Sequence, residues 1–296
     1  MEIAVGSELG MWQRRSRDAC CSEALASDVA FLAVADGFGT VGRGHVAENA
    51  IALLRDYLRR KMRSGALTAR NASPLAIRRM MLAAFAHANG RLYSQSGSHD
   101  DYVASGTSLT AALVVGSQIY IGHVGEARAY LLRDDKISPL TEDDAIAPEP
   151  GGGGKTTIGA GARTRSLLTR TLGTQPTLEA TVTHLDVKET DRVILCTDGI
   201  HKSLSNEELE FAGGAPGTAA DVVDRILALM KMRGNQDGGT VIVGRELTVP
   251  VTLSAEVASA RRSVSGAIGI TILMVALIVL AALLYEALFP PHIALR

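Results

Sequence analysis

The sequence predicts a layered α+β domain, a β-sandwich flanked by helices, followed by a linker and one membrane-spanning helix. Three observations carry this reading. Apolar β-type runs alternate with amphipathic helical repeats through the first 247 residues. The strands are closely spaced and separated by short turn signals, which favours antiparallel pairing, and amphipathic helices must cover them. Finally, residues 263–285 (SVSGAIGITILMVALIVLAALLY) hold no charged side chain.

The elements follow in order. Residues 29–35 (VAFLAVA) read as a buried strand that ends at Asp36-Gly37. Within residues 45–63, Ala47, Ile51, Leu54, Leu58 and Met62 recur at helical spacing. A second helix starts near Pro74 with Ser73 as N-cap; Ile77, Met81, Ala84, Ala88 and Leu92 form its inward stripe. Its methionines read as core packing rather than a partner groove. Strands at 108–115, 118–123 and 127–132, punctuated by Gly116-Ser117 and residues 133–136, predict an antiparallel meander. Residues 143–165 are rich in Gly and Pro with no apolar period, which predicts a long mobile loop. Strands resume at 181–185 and 192–196. A helix over 219–232 turns Val222, Val223, Ile226, Leu229 and Met230 inward, and the last strand covers 240–243. The expected organisation is a domain over 1–247, a juxtamembrane linker over 248–262, a transmembrane helix over 263–289 and a short tail over 290–296.

A chain of 296 residues buries a full core, and its formal net charge of −1 gives no global electrostatic case for nucleic acid. Lys and Arg cluster at 14–17 and 59–63, the second as a solvated helix face. Cys20, Cys21 and Cys196 form neither a disulfide framework nor a zinc-type CxxC pair, which suits a reducing cytoplasm. The N-terminus lacks the basic and apolar regions of a signal peptide. As a helix, residues 263–285 extend about 35 Å, enough to cross a bilayer core. Arg261 and Arg262 flank the segment, and the positive-inside rule places the large domain on the cytoplasmic face of the cell membrane as a single-pass protein.

Asp-Gly pairs mark the candidate chemistry. Asp36-Gly37 follows residues 29–35, Asp198-Gly199 follows residues 193–197 (VILCT), and Asp237-Gly238 precedes residues 240–243 (TVIV). One such pair is ordinarily a turn. A carboxylate at a strand end is rigidly aimed, and the glycine lets the backbone approach an ion. Three converging carboxylates would make an oxygen-rich pocket suited to Mg²⁺ or Mn²⁺. The run GGGGKT at 151–156 is no nucleotide loop, because Glu149 stands where that pattern needs Gly and no strand leads into it. His45, His123, His184 and His201 lack metal-ligand spacing and read as structural or exposed.

Taken in order, residues 9–18 (LGMWQRRSRD), 34–47 (VADGFGTVGRGHVA), 106–110 (GTSLT), 124–133 (VGEARAYLLR), 140–144 (LTEDD), 168–174 (LTRTLGT), 191–199 (DRVILCTDG) and 237–243 (DGGTVIV) form a distinctive series. Over nearly all of residues 5–245 the chain resembles the metal-dependent type 2C protein serine/threonine phosphatases, the PPM family. The resemblance implies two antiparallel sheets packed between helices, with two Mn²⁺ or Mg²⁺ ions at one end of the sandwich. Asp36 would bridge the ions, with the Gly37 carbonyl as a further ligand, and Asp198 and Asp237 would complete the first ion's shell. Asp18 matches the acidic residue that orients the attacking water. Glu126 stands where bacterial members place an Asp that helps hold a third, weaker ion. The family's phosphate-gripping Arg falls at Gln13, with Arg14 next door as its substitute.

Other departures are Arg17, beside Asp18, which should weaken the second ion, and Gly238 in place of an amide. Phe38 stands where a family general acid would be sought. Residues 151–156 fall in the family's variable flap, where Lys155, Arg163 and Arg165 would meet an anionic phosphopeptide or simply face solvent. The implied function is hydrolysis of phosphoserine and phosphothreonine in phosphorylated proteins, opposed to a Ser/Thr kinase and anchored to the membrane through the C-terminal helix. The alternative is a catalytically weak module that binds phosphoproteins as a regulator or scaffold.

Overall fold

Two strands, β1 (Glu2–Glu8) and β2 (Asp18–Ala26), precede the apolar run, which emerges as β3 (Val29–Phe38). Helices α1 (Val46–Arg63) and α2 (Pro74–Ser96) follow, then β4 (Gly106–Val115), β5 (Gln118–Val124), β6 (Arg128–Arg133) and β7 (Lys136–Pro139). The remaining elements are β8 (Ala145–Ile146), β9 (Leu167–Leu168), β10 (Thr181–Asp186), β11 (Arg192–Cys196), α3 (Asp198–His201), α4 (Asn206–Gly214), α5 (Ala219–Met232), β12 (Gly239–Arg245) and β13 (Thr252–Leu253). This computed structural model describes residues 1–10, 13, 16–26, 28–39, 45–63, 73–96, 105–146, 167–234, 237–247 and 252–253.

One sheet has five strands in the order β10-β5-β4-β3-β2, the other six in the order β13-β1-β12-β11-β6-β7. All their pairings are antiparallel except β1 with β13. Side chains alternate across a strand, so β3 serves two cores at once. Ala30, Leu32 and Val34 meet Ile3, Val193, Leu195 and Ile242 between the sheets. Phe31, Ala33 and Ala35 meet Leu54, Met81 and Phe85 beneath α1 and α2. A third cluster joins Ile194, Cys196, Val241 and Val243 to Ile200, Val222, Ile226 and Met230 under α3 and α5. The layers are therefore helix, sheet, sheet, helix. Burial on both faces explains why β3 reads as a continuous apolar run. Truncating the fully buried Phe31 to Ala would cost about 3–5 kcal/mol.

The α2 stripe is buried as expected, and the Ser73 hydroxyl accepts the Ala76 N–H at 3.2 Å. The meander is not. β4 and β5 pair, but β6 leaves for the other sheet and pairs with β11 and β7. The crossing occurs at Gly125, whose φ of +97° favours glycine and where a Cβ would lie 2.4 Å from Ser108 Cβ. The start of the expected loop at 143–165 is also fixed rather than mobile. Arg128 donates two bonds of 2.7 Å to the Asp143 carboxylate, Asp144 accepts the Gly125 N–H at 3.0 Å and pairs with Arg170, and β8 pairs with β9. Residues 147–166, with GGGGKT, Lys155, Arg163 and Arg165, lie outside the described residues.

Helices α3 and α4 escaped the sequence reading, although Ser205 with Glu208 forms a capping box for α4. Thr218 with Asp221 does the same for α5. Among the described residues no helix is long and apolar enough to cross a membrane. The expected span at 263–289 lies outside them.

Candidate metal centre

The sandwich collects acids at one end. In the register of β2 with β3, Asp18 stands opposite Asp36, and Asp36 stands opposite Ser108 of β4. Continuing the alternation from Leu32 and Val34 puts Asp36 on the face between the sheets. The Thr107 hydroxyl donates to the Asp36 carbonyl at 2.8 Å, and the Gly37 N–H donates to the Arg17 carbonyl at 3.1 Å.

The six-stranded sheet supplies the other acids. Strand β11 ends at Cys196, Thr197 is the N-cap of α3, and Asp198 is that helix's first residue. Asp237 lies just before β12. Their glycines bring these two segments into contact: a Cβ on Gly199 would fall 1.6 Å from the Gly238 carbonyl oxygen, and Gly238 itself has φ of +71°. No other residue type fits there.

Thr197 ties the two sheets together. Its hydroxyl donates to Asp18 Oδ2 at 2.7 Å and accepts the Thr240 N–H at 2.9 Å, while its own N–H donates to the Thr240 carbonyl at 3.0 Å. On the outer side, Gln13 Nε2 donates to the Asp237 carbonyl at 2.8 Å.

The electrostatics follow from crowding. Burial, then the neighbouring Asp198 and Asp18 carboxylates, push Asp36 well above the ordinary carboxyl value, against a smaller opposing pull from Arg17. Burial also raises Asp18, opposed by the hydroxyls of Thr197 and Thr240 and assisted by Asp198. This is an all-oxygen donor set with excess negative charge, the chemistry that suits a hard divalent cation. The acids are neighbours rather than a finished cage: among the described residues, no three Asp, Glu, His or Cys side chains converge closely enough to chelate an ion as they stand. Burial lowers the pKa of both His123 and His201. His123 has both ring nitrogens engaged, between the Thr110 hydroxyl and the Glu142 carbonyl, and His201 Nε2 meets the Glu126 carbonyl.

A family model described as protein phosphatase 2C matches residues 13–237. The chain belongs to the protein phosphatase 2C family. It is 29% identical over 252 residues to the serine/threonine protein phosphatase PstP of Mycobacterium tuberculosis, covering 82% of this chain and 44% of PstP. The chain thus spans less than half the length of that relative. It is also 29% identical over 219 residues to the serine/threonine phosphatase stp of Listeria monocytogenes, covering 73% of this chain and 84% of stp. Among solved structures, the catalytic domain of PstP in complex with two manganese ions superposes with a TM-score of 0.63 at 26% identity, covering 81% of this chain and 96% of that domain.

Within this protein phosphatase 2C domain, Asp18, Asp36, Gly37, Asp198 and Asp237 gather at the same end of the sandwich, Asp18 and Asp36 from strands of the five-stranded sheet and Asp198 and Asp237 from segments flanking β11 and β12. Arg14 lies outside the described residues. Glu126 is placed differently from a free ligand. It sits on the bend after β5, and Lys202 Nζ lies 2.6 Å from its Oε2 and 2.9 Å from Asp198 Oδ2. Thr197, Thr240 and Lys202 were not singled out from sequence. The first two adjoin the Asp-Gly signals, and Lys202 follows Asp198 by four residues, but only the tertiary fold gives them partners.

Proposed function

We propose that the chain is a metal-dependent protein serine/threonine phosphatase, anchored to the cytoplasmic face of a membrane by its C-terminal segment. One observation carries this most directly: Asp36 is buried among carboxylates without enough positive charge to balance them. Two Mn²⁺ or Mg²⁺ ions would relieve that imbalance, held by Asp36, the Gly37 carbonyl, Asp198 and Asp237. When bound, such ions acidify water and neutralise phosphoryl oxygens. Support comes from the two manganese ions in the PstP catalytic domain and from the names of the curated relatives.

The chain's own residues supply the positioning. The Thr197 hydroxyl fixes Asp18 Oδ2, which holds at the site the carboxylate we assign to orienting a water for in-line attack on phosphorus. Glycines at 37 and 199 let the backbone beside the acids pack closely against the Arg17 and Gly238 carbonyls. Gln13 holds the Asp237 carbonyl, and Arg14 is the cation we assign to substrate phosphate. The substrates are phosphorylated proteins near the membrane, opposed by a Ser/Thr kinase. Arg261 and Arg262 beside the uncharged run at 263–285 support the anchoring and its orientation.

The test is phosphate release from a phosphothreonine peptide by the purified full chain. We expect activity with Mn²⁺ or Mg²⁺, loss on chelation, and loss in Asp198→Asn. A folded chain that binds Mn²⁺ yet releases no phosphate from phosphothreonine or phosphoserine peptides would refute the enzymatic reading in favour of a phosphoprotein-binding module. Membrane anchoring is checked by fractionation: a chain truncated after residue 253 should leave the membrane pellet.

A further inference from the structure

We propose that the Lys202 ammonium is a built-in counter-cation of this centre. It fills the place between Asp198 and Glu126 that a further divalent ion would need, and limits the site to two ions. The inference rests on the reading that the acids bind divalent metal.

The geometry is that of a cation bridge. Glu126 and Asp198 come from separate segments, yet each turns an oxygen toward one point, at which Lys202 Nζ lies 2.6 and 2.9 Å away. Glu126 is 9% exposed, so its carboxylate needs a counter-charge nearby. The lysine is not there by a chance rotamer alone. Its backbone N–H bonds the Asp198 carbonyl at 2.9 Å as the C-cap of α3, and the preceding His201 ring meets the Glu126 carbonyl at 2.8 Å. Consecutive residues therefore grip Glu126 by its main chain and its side chain.

An ammonium and a divalent ion differ in ways that matter here. Oxygen ligands lie about 2.0–2.1 Å from Mg²⁺, so the two carboxylates would have to close in on an ion after expelling the lysine. The ammonium is covalently tethered and cannot be diluted or chelated away. It also occupies Asp198 Oδ2. With the acids ionised, the ammonium already offsets charge on Glu126 and Asp198, which lessens the attraction of that place for a third divalent ion.

The experiment is equilibrium dialysis of the full chain against Mn²⁺, with elemental analysis and a thermal transition to establish that each variant is folded. The unmodified chain should hold two ions. Lys202→Ala and Lys202→Gln should each gain a third, weaker ion, lost again when Glu126→Gln is added. Glutamine keeps most of the length and the hydrogen bonding, so the test survives if the alanine variant does not fold. Glu126→Gln alone should still hold two ions, which keeps the proposal testable without altering the lysine. Three ions in the unmodified chain, an ion lost in Glu126→Gln, or two ions in the folded Lys202 variants would overturn the inference and leave the phosphatase reading intact. No bound Mn²⁺ in the unmodified chain would remove both.

Discussion

Replacing Thr197 by Val keeps the branched shape and removes one hydroxyl, so it isolates the link between the sheets. The lost bond to Asp18 is to a carboxylate and contributes about 1.5–3 kcal/mol, and the Thr240 N–H left unpaired in a fully buried setting costs about 1–3 kcal/mol. Because the two share one atom they do not simply add, and about 3 kcal/mol is the expected destabilisation of Thr197→Val. Thr197→Ser keeps the hydroxyl and loses one methyl, at about 1 kcal/mol. For a domain of this size each kcal/mol lowers the melting temperature by about 2–4 °C, so Val should melt about 6–12 °C and Ser about 2–4 °C below the unmodified chain. Differential scanning calorimetry of the metal-free protein reads this without reference to catalysis. Phosphatase assays on the same variants should show kcat falling in Val and largely kept in Ser, since Asp18 loses its bond to residue 197 only in Val. If Val and Ser melted within about 2 °C of each other, the hydroxyl would carry none of this cohesion and the reasoning would fail.

Other substitutions test other parts of the site. Gly199→Ala puts a methyl 1.6 Å from the Gly238 carbonyl oxygen and should abolish Mn²⁺ uptake or folding altogether, whereas Gly116→Ala, in open space at φ of +59°, should cost only about 1–2 kcal/mol in denaturant unfolding. Gln13→Ala frees the Asp237 carbonyl; one hydrogen bond of about 1 kcal/mol corresponds to roughly fivefold weaker Mn²⁺ binding by dialysis. Asp191 should dominate part of the acid response. Its burial alone would raise the carboxyl, but two bonds from Arg133 and one from the Lys188 N–H hold it below its ordinary 3.8. A depressed carboxyl stabilises the fold above the unfolded value and loses that contribution as pH falls through the folded one, so stability should drop below pH 3.8. Asp191→Asn should be less stable at neutral pH and show a flatter decline in that acidic range.

How much of this was legible depended on the physics of each element. Helices α1, α2 and α5 were readable because their inward residues repeat at 3.6-residue spacing. Strand β3 was readable because it is buried on both faces. Strand β6 was recognisable as a strand and misassigned to a meander, since periodicity says nothing about which sheet a strand joins. That choice is made at Gly125, where a left-handed backbone turn redirects the chain. The start of the loop at 143 was misread for a related reason: Asp143 and Asp144 look like solvent-seeking turn residues until Arg128, Arg170 and the Gly125 amide reach them. At the site, the Asp-Gly pairs announced where carboxylates would be held. Which polar groups hold them, Thr197 above all, depends on contacts between residues 179 positions apart.

The split ancestry of the acid set has a consequence for how the chain matures. Asp18 and Asp36 belong to one sheet, Asp198 and Asp237 to segments flanking strands of the other, and neither pair alone amounts to a binding site. A nascent chain in which a single layer has formed carries half the acids. On the proposed reading, the site would be complete only once layer has docked on layer. Ions captured afterwards would span the seam and oppose its reopening, stabilising the closed form by about 2.7 kcal/mol when free metal exceeds its dissociation constant a hundredfold. Turnover would thus report on the completeness of folding as well as on the supply of substrate.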